Sequence, residues 1–280
     1  LKKRMLTIYA AILITLILAC LLIPDFFPMT SKAFKGLQFR IQLGIYNFKE
    51  TAINLNDFEK TSNEKSELVI IFDDGYESVY INAYPLLKKH GSVACIGVIG
   101  NRIGEQGYMT LSQLSELYRE GYDILNHSFQ HVQDVELSRE ELIKEYRKSM
   151  AFLKSRGFAR GYDIILPPGG EYLQNHLDIA LESGFRAIRS LDKCYVTGKE
   201  DATDIVVINV YGSRSIPEVK STIDDSIEED KDLIIIFHKI CLGESESDMY
   251  VSLDTLASLI SHIEKAQIDI VTFSDLLDQY

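Results

Sequence analysis

From Leu68 onward the chain alternates short β-branched runs with amphipathic segments at helical spacing. The apolar runs are LVIIF (68–72), SVACIGVIG (92–100), YDIL (122–125), YDIIL (162–166), FRAIR (185–189), DIVVINV (204–210), DLIIIF (232–237) and DIVTF (269–273). Strands this uniformly apolar suit a parallel sheet, because helices cover its outer face. The intervening segments carry helix boundaries. Ser138-Arg-Glu-Glu141 is a capping box that opens a helix to about Arg156, with Gly157 ending it. Pro217 suits the first turn of a helix to about Glu229, and Gly91, Gly121 and Gly184 each close one. Seven or eight such units of α/β structure close most naturally into a (β/α) barrel. No short fixed period is visible, which argues against a solenoid.

The pattern before Leu68 is different. Met5–Ile23 is an uninterrupted uncharged run preceded by Lys2, Lys3 and Arg4. At about 1.5 Å per residue it can just span a bilayer, and the preceding cations place residues 24 to 280 outside the cytoplasm. The expectation is a single-pass cell-membrane protein with residues 1–23 as anchor, an extracytoplasmic spacer over 24–66, and a catalytic domain over 67–280. Two other fates stay open for the run. A cleaved signal peptide would want a small-x-small site, and none follows before Pro24. Ile17-Leu18-Ala19-Cys20 resembles a lipoprotein processing site, although the apolar run continues through Leu21, Leu22 and Ile23.

Composition adds exclusions. An apolar share of 46% with 25% charged residues supports a sizeable core and rules out wholesale disorder. A formal charge of −12 argues against nucleic acid as a partner, since phosphate contacts need a basic surface. Of the four cysteines, Cys20 lies in the membrane run, so one of Cys95, Cys194 and Cys241 must be unpaired in a monomer. Cys95 reads as a small buried hydrophobe.

Barrel chemistry gathers at the C-terminal ends of strands, so the residues after each apolar run are the candidates. LVIIF is followed by Asp73-Asp74-Gly75-Tyr76, YDIL by Asn126-His127-Ser128-Phe129-Gln130-His131, YDIIL by Pro167-Pro168-Gly169-Gly170, FRAIR by Ser190-Leu191-Asp192, and LIIIF by His238. Adjacent carboxylates repel unless a cation intervenes or they diverge, so one can hold a metal while the other stays free as a base. His127 and His131 have the spacing at which one helical turn presents two imidazoles to one ion. With Asp74 they make a two-His, one-carboxylate set that leaves positions open for water and substrate. Each motif alone has a bland alternative: a turn pair, two surface histidines, a satisfied core histidine. Their joint occurrence at strand ends favours chemistry.

The ordered set IFDDGY, HSFQH, LPPGG and IIIFH resembles the polysaccharide deacetylases with the NodB homology domain, carbohydrate esterase family 4, over about 210 residues. The resemblance implies a deformed (β/α) barrel of about seven units that removes N-acetyl groups from amino sugars of an extracytoplasmic polysaccharide. It implies Asp73 as general base, Asp74, His127 and His131 as ligands of a divalent metal (Zn2+, with Co2+ or Ni2+ possible), and His238 as general acid. Ile236 would form the wall for the acetyl methyl, Pro168 and Gly169 would line the substrate, and the Gly169 N–H would face the oxyanion. Asp192 matches an Asp whose companion Trp is absent, since the chain has no Trp. Where many members have Arg before Pro-Pro this chain has Leu166, so the usual partner of the base is expected to be missing and the pKa of Asp73 to be unset. Sugar stacking falls to Tyr76, Tyr172, Tyr195 or Tyr211. An inert carbohydrate-binding relative remains the alternative, while a phosphodiester hydrolase would want converging Arg or Lys. If the resemblance sets Asp192 beside His238, Cys194 and Cys241 lie on neighbouring loops, and either a bridge or two free thiols is expected.

Overall fold

The computed structural model describes residues 65–170, 174–191, 193–196, 205–243 and 247–278. They fall within one compact unit, Ser62–Tyr280. The apolar run at 5–23, the spacer through residue 64, Tyr172 and Asp192 lie outside the described residues. Among the described residues no helix is long and apolar enough to cross a membrane.

All eight apolar runs contain strands. These are β1 (Glu67–Phe72), β2 (Cys95–Val98), β3 (Asp123–Asn126), β4 (Ile164–Ile165), β5 (Ala187–Arg189), β7 (Ile205–Asn209), β8 (Asp232–Phe237) and β11 (Asp269–Val271). Three short strands fall outside those runs: β6 (Cys194–Val196), β9 (Lys239–Cys241) and β10 (Tyr250–Ser252). The order β6-β5-β4-β3-β2-β1-β8-β7 makes a nearly closed barrel of eight strands. Pairing is parallel except between β5 and β6. The barrel departs from regular (β/α) units in two ways. The antiparallel β6 occupies one barrel position without a crossover helix before it. The last run does not close the barrel: β11 pairs with the first half of β1 (Glu67–Val69), while β2 takes Ile71 and Phe72 on the second half.

Helices cover the outside: α1 (Tyr84–Lys89), α2 (Leu111–Arg119), α3 (Arg139–Ser155), α4 (Gln174–Ser183), α5 (Ile216–Glu228) and α6 (Leu253–Ala266). The capping box at Ser138 forms with both of its hydrogen bonds, and Thr110 with Gln113 makes a second. Gly91, Gly121, Gly157 and Gly184 all have positive φ after helices, as chain-reversing positions require.

Strand alternation then sorts the core. Leu68, Ile70 and Phe72 face the helices with Ile96, Leu233 and Ile235. Val69 and Ile71 face the barrel interior with Cys95, Leu125, Ile164, Leu166, Ala187, Ile234 and Ile236. Phe273, Leu276 and Leu277 of the short α7 (Phe273–Leu277) join this inner cluster. The Ser274 N–H donates to Asp123 at the start of β3, so α7 seals the N-terminal end of the barrel. The opposite end is left for chemistry.

Candidate active site

The period-two rule places the polar residues. Two positions beyond Ile71, Leu125, Ala187 and Ile236 lie Asp73, His127, Arg189 and His238, one layer above the apolar interior. Asp73 continues the register that pairs Phe72 with Phe237, and its N–H donates to the Phe237 carbonyl at 2.9 Å. That contact sets Asp73 level with His238. Gly97, which follows the pairing of Cys95 with Ile71, has no side chain at this layer. A Cβ there would stand 2.7 Å from Leu166 Cδ1 and 3.1 Å from an Asp73 oxygen, so glycine makes room for the carboxylate.

Asp73 is buried, and Arg189 Nη2 donates to both of its oxygens, at 2.7 and 2.8 Å. Arg189 is itself wholly enclosed. Burial pushes the Asp73 carboxyl up, but the guanidinium, with help from His127 and His238, outweighs it and holds the group below its usual value. The expectation of an unpartnered base is therefore corrected. Leu166 and Arg189 sit on adjacent strands, one residue beyond the pair Ile165–Ile188, so the cation comes from the next strand at the same height. Sequence reading missed Arg189, although FRAIR carries the signal: Ala187 points inward, and so must Arg189. Because this guanidinium is occupied by Asp73, it does not supply the phosphate-binding cation that a phosphodiester hydrolase would want.

Asp74 points the other way, with φ of 70°, a left-handed conformation rare outside glycine. Its Oδ1 lies 3.2 Å from His127 Nε2 and 3.2 Å from His131 Nε2, and the two imidazole nitrogens are 3.2 Å apart. The expected helical turn for HSFQH is not formed. Ser128 and His131 both have φ of 60°, and the segment is an irregular loop. Side chains supply the order that a helix would have given. Asn126 Oδ1 accepts from the Ser128 N–H and Ser128 Oγ from the His131 N–H, while Glu145 of α3 accepts from the N–H groups of Phe129 and Gln130. These local bonds compete successfully with the helix.

The donor set fits a metal ion. His127 Nδ1 lies 2.6 Å from the Leu166 carbonyl, which can only accept, so Nδ1 carries the hydrogen and Nε2 turns a lone pair toward Asp74. Three lone-pair atoms facing one another need a cation between them. Atoms bound tetrahedrally at about 2.0–2.1 Å stand about 3.3 Å apart, close to the spacing seen. These three residues are the metal-capable group among the described residues.

His238 completes the mouth. Its ring stacks on Tyr211 with centroids 5.8 Å apart, and Asn209 Nδ2 donates to the Tyr211 hydroxyl at 3.0 Å. Burial pushes the His238 imidazole down, against the pull of the Asp73 and Asp74 charges. Its Nδ1 has no hydrogen-bond partner among the described residues. Ile236 is enclosed one layer below, beside Ile71 and Asn209. Pro168 is buried, whereas Gly169 is exposed with φ of 72°. Of the tyrosines expected to stack on sugar, Tyr195 is core packing, Tyr211 covers His238, and Tyr76 stacks on Tyr108. Cys95, Cys194 and Cys241 are free thiols, so the bridge alternative is not realised.

Residues 60–188 match the family model described as Polysaccharide deacetylase. Within those residues the chain is similar to the polysaccharide deacetylases. The chain is 34% identical over 138 residues to polysaccharide deacetylase YxkH of Bacillus subtilis (strain 168), covering 49% of this chain and 48% of that one. It is 27% identical over 147 residues to a poly-beta-1,6-N-acetyl-D-glucosamine N-deacetylase of Staphylococcus aureus (strain MSSA476), covering 48% and 50%. The chain thus spans about half the length of these curated relatives. Among solved structures, the Xyl-CE4 domain of a multidomain xylanase from the hindgut metagenome of Trinervitermes trinervoides matches 77% of this chain and 91% of its own. Its TM-score is 0.55 at 18% identity, a likeness of fold.

Proposed function

We propose that the chain is a metal-dependent N-deacetylase acting on an N-acetylglucosamine-containing polysaccharide outside the cytoplasm. The observation that carries this reading is the division of labour between Asp73 and Asp74, one paired with a buried guanidinium and the other facing two imidazole lone pairs. Asp74, His127 and His131 would hold a divalent ion, Zn2+ in the first instance, which when bound would supply Lewis acidity toward the amide carbonyl and acidify nearby water. Asp73 accepts the proton of the attacking water, with Arg189 fixing the direction of its oxygens. His238 donates a proton to the leaving nitrogen as the C–N bond breaks, giving acetate and a glucosamine residue. Tyr211 holds the His238 ring in plane for that transfer. The exposed Gly169 N–H is the candidate donor to the oxyanion, and Ile236 the apolar floor under the acetyl group.

The membrane part of the proposal rests on the run Met5–Ile23 behind Lys2, Lys3 and Arg4, which supports a single-pass anchor with the barrel outside. Release of acetate from N-acetylglucosamine oligomers, measured before and after chelation and after Zn2+, Co2+ or Ni2+ is restored, tests the chemistry. Acetate that disappears on chelation and returns with metal is expected. Oligomer binding without acetate under every metal would favour an inert carbohydrate-binding relative.

A further inference from the structure

A groove of about 390 Å³ opens where β1 and β8 end, beside the candidate site. It is built from the residues that follow the chemistry in sequence: Tyr76 comes two positions after Asp74, and Lys239 immediately after His238. Tyr76 is close enough to Asp74 for that charge to add to burial in pushing its phenol up. The walls are fixed by backbone. Glu77 N–H donates to the Gly107 carbonyl and Met109 N–H to that of Gly75, both at 2.9 Å. Ser78 Oγ accepts from Ile240 N–H, and Asn82 donates to the Ile240 carbonyl.

Within this groove the rings of Tyr108 and Tyr76 stack at 5.1 Å. Lys239 Nζ sits 4.2 Å from the Tyr76 ring and 4.9 Å from the Tyr250 ring. The ammonium is held by two aromatic faces and makes no ion pair among the described residues. The other charged lining group, Glu77, is turned toward Gln113, whose Nε2 donates to it at 3.1 Å. The groove therefore carries a positive charge on its Tyr76–Tyr250 side, with the Glu77 carboxylate drawn toward Gln113, near the place where the proposed reaction makes another, since each turnover converts a neutral acetamide into an ammonium.

We propose that this groove takes the sugar next to the one being deacetylated, and that Lys239 admits it while its nitrogen is still acetylated and uncharged. An already deacetylated neighbour would bring a second ammonium against the first, so deacetylation would space itself along the polymer. The inference rests on the deacetylase reading and deepens it by naming the state of the neighbouring sugar as the specificity determinant.

The test compares a fully acetylated N-acetylglucosamine pentamer with pentamers carrying one glucosamine at each internal position. The expected wild-type preference in kcat/KM for the fully acetylated pentamer over the most affected isomer is about tenfold, a size that two like charges a few ångströms apart in partial solvent can produce. In Lys239→Gln the preference collapses toward one, in Lys239→Glu it inverts, and Lys239→Arg keeps it, which separates charge from loss of fold. A wild-type ratio near one, or a ratio unchanged in Lys239→Gln, overturns the proposal. Acetate from no pentamer at all would sink the deacetylase reading instead. In that case calorimetric binding of the same pentamers to wild type and Lys239→Gln reads the charge discrimination directly, and equal affinities overturn it.

Discussion

Asp73 and Asp74 are neighbours in sequence and opposites in surroundings. Asp73 continues the inward alternation of β1 and meets Arg189, a cation built into the chain and buried with it. Asp74, at positive φ, turns away and meets two imidazoles whose free lone pairs call for an added cation. Asp134, under the same histidine loop, is a third case. It is buried against the Tyr146 hydroxyl with no ion pair among the described residues, and burial, outweighing Tyr146 and the more distant His127, pushes it up to about 7. A buried carboxylate here is thus kept charged by a permanent partner, kept charged by an exchangeable one, or left to hold its proton.

The largest expected effect comes from breaking the exchangeable side. His127→Ala and His131→Ala should each lose bound metal and essentially all acetate release, because two remaining ligands hold a labile ion poorly. Metal analysis after desalting, alongside the acetate assay, reads both, and full activity in His131→Ala would remove it from the site.

Next is the permanent partner. Arg189→Leu leaves a buried charge unpaired and should lower kcat by about 10²-fold or more, with unfolding made easier by about 3–5 kcal/mol. The double variant Leu166→Arg, Arg189→Leu returns a guanidinium to the adjacent strand at the same height and should recover part of the rate. Recovery of stability without rate would show that Arg189 acts on folding alone.

Asp134 gives the smallest effect and the clearest sign. Its ordinary carboxyl value is near 4 and its folded value about 7, so the native state binds the extra proton between those limits. Its contribution to stability is full below about pH 4 and is lost as pH rises toward 7, by about 2–4 kcal/mol. Asp134→Asn, which can still accept from Tyr146, should flatten this loss, read as Tm between pH 5 and 8. An unchanged slope would place the titration elsewhere.

Most of the barrel was legible because apolar runs and helix caps are local signals, and the eight runs needed no long-range information to be found. What they could not give was the placement of short strands. Cys194–Val196 reads as a loop until β5 offers it an antiparallel edge, and Asp269–Val271 looks like a closing strand until β11 is seen beside β1. At the site, the residues after the strands were legible as candidates, but their partners were not. Arg189 hid within an apolar run, where alternation rather than identity reveals it. The HSFQH loop was misjudged because i,i+4 spacing suggests a helix, whereas Asn126, Ser128 and Glu145 stabilise a non-helical path. Lys239 is unremarkable in sequence, and its position between two tyrosine rings follows from strand ends that only the fold brings together.

The central claim, that two adjacent carboxylates divide base from ligand, is tested most directly by measuring metal content and acetate release in Asp73→Asn and Asp74→Asn side by side. Asp73→Asn should retain metal at the wild-type level while turnover falls about 10²–10⁴-fold, and Asp74→Asn should lose the metal itself. Equal metal loss in both variants, or metal retained in Asp74→Asn, would contradict the division.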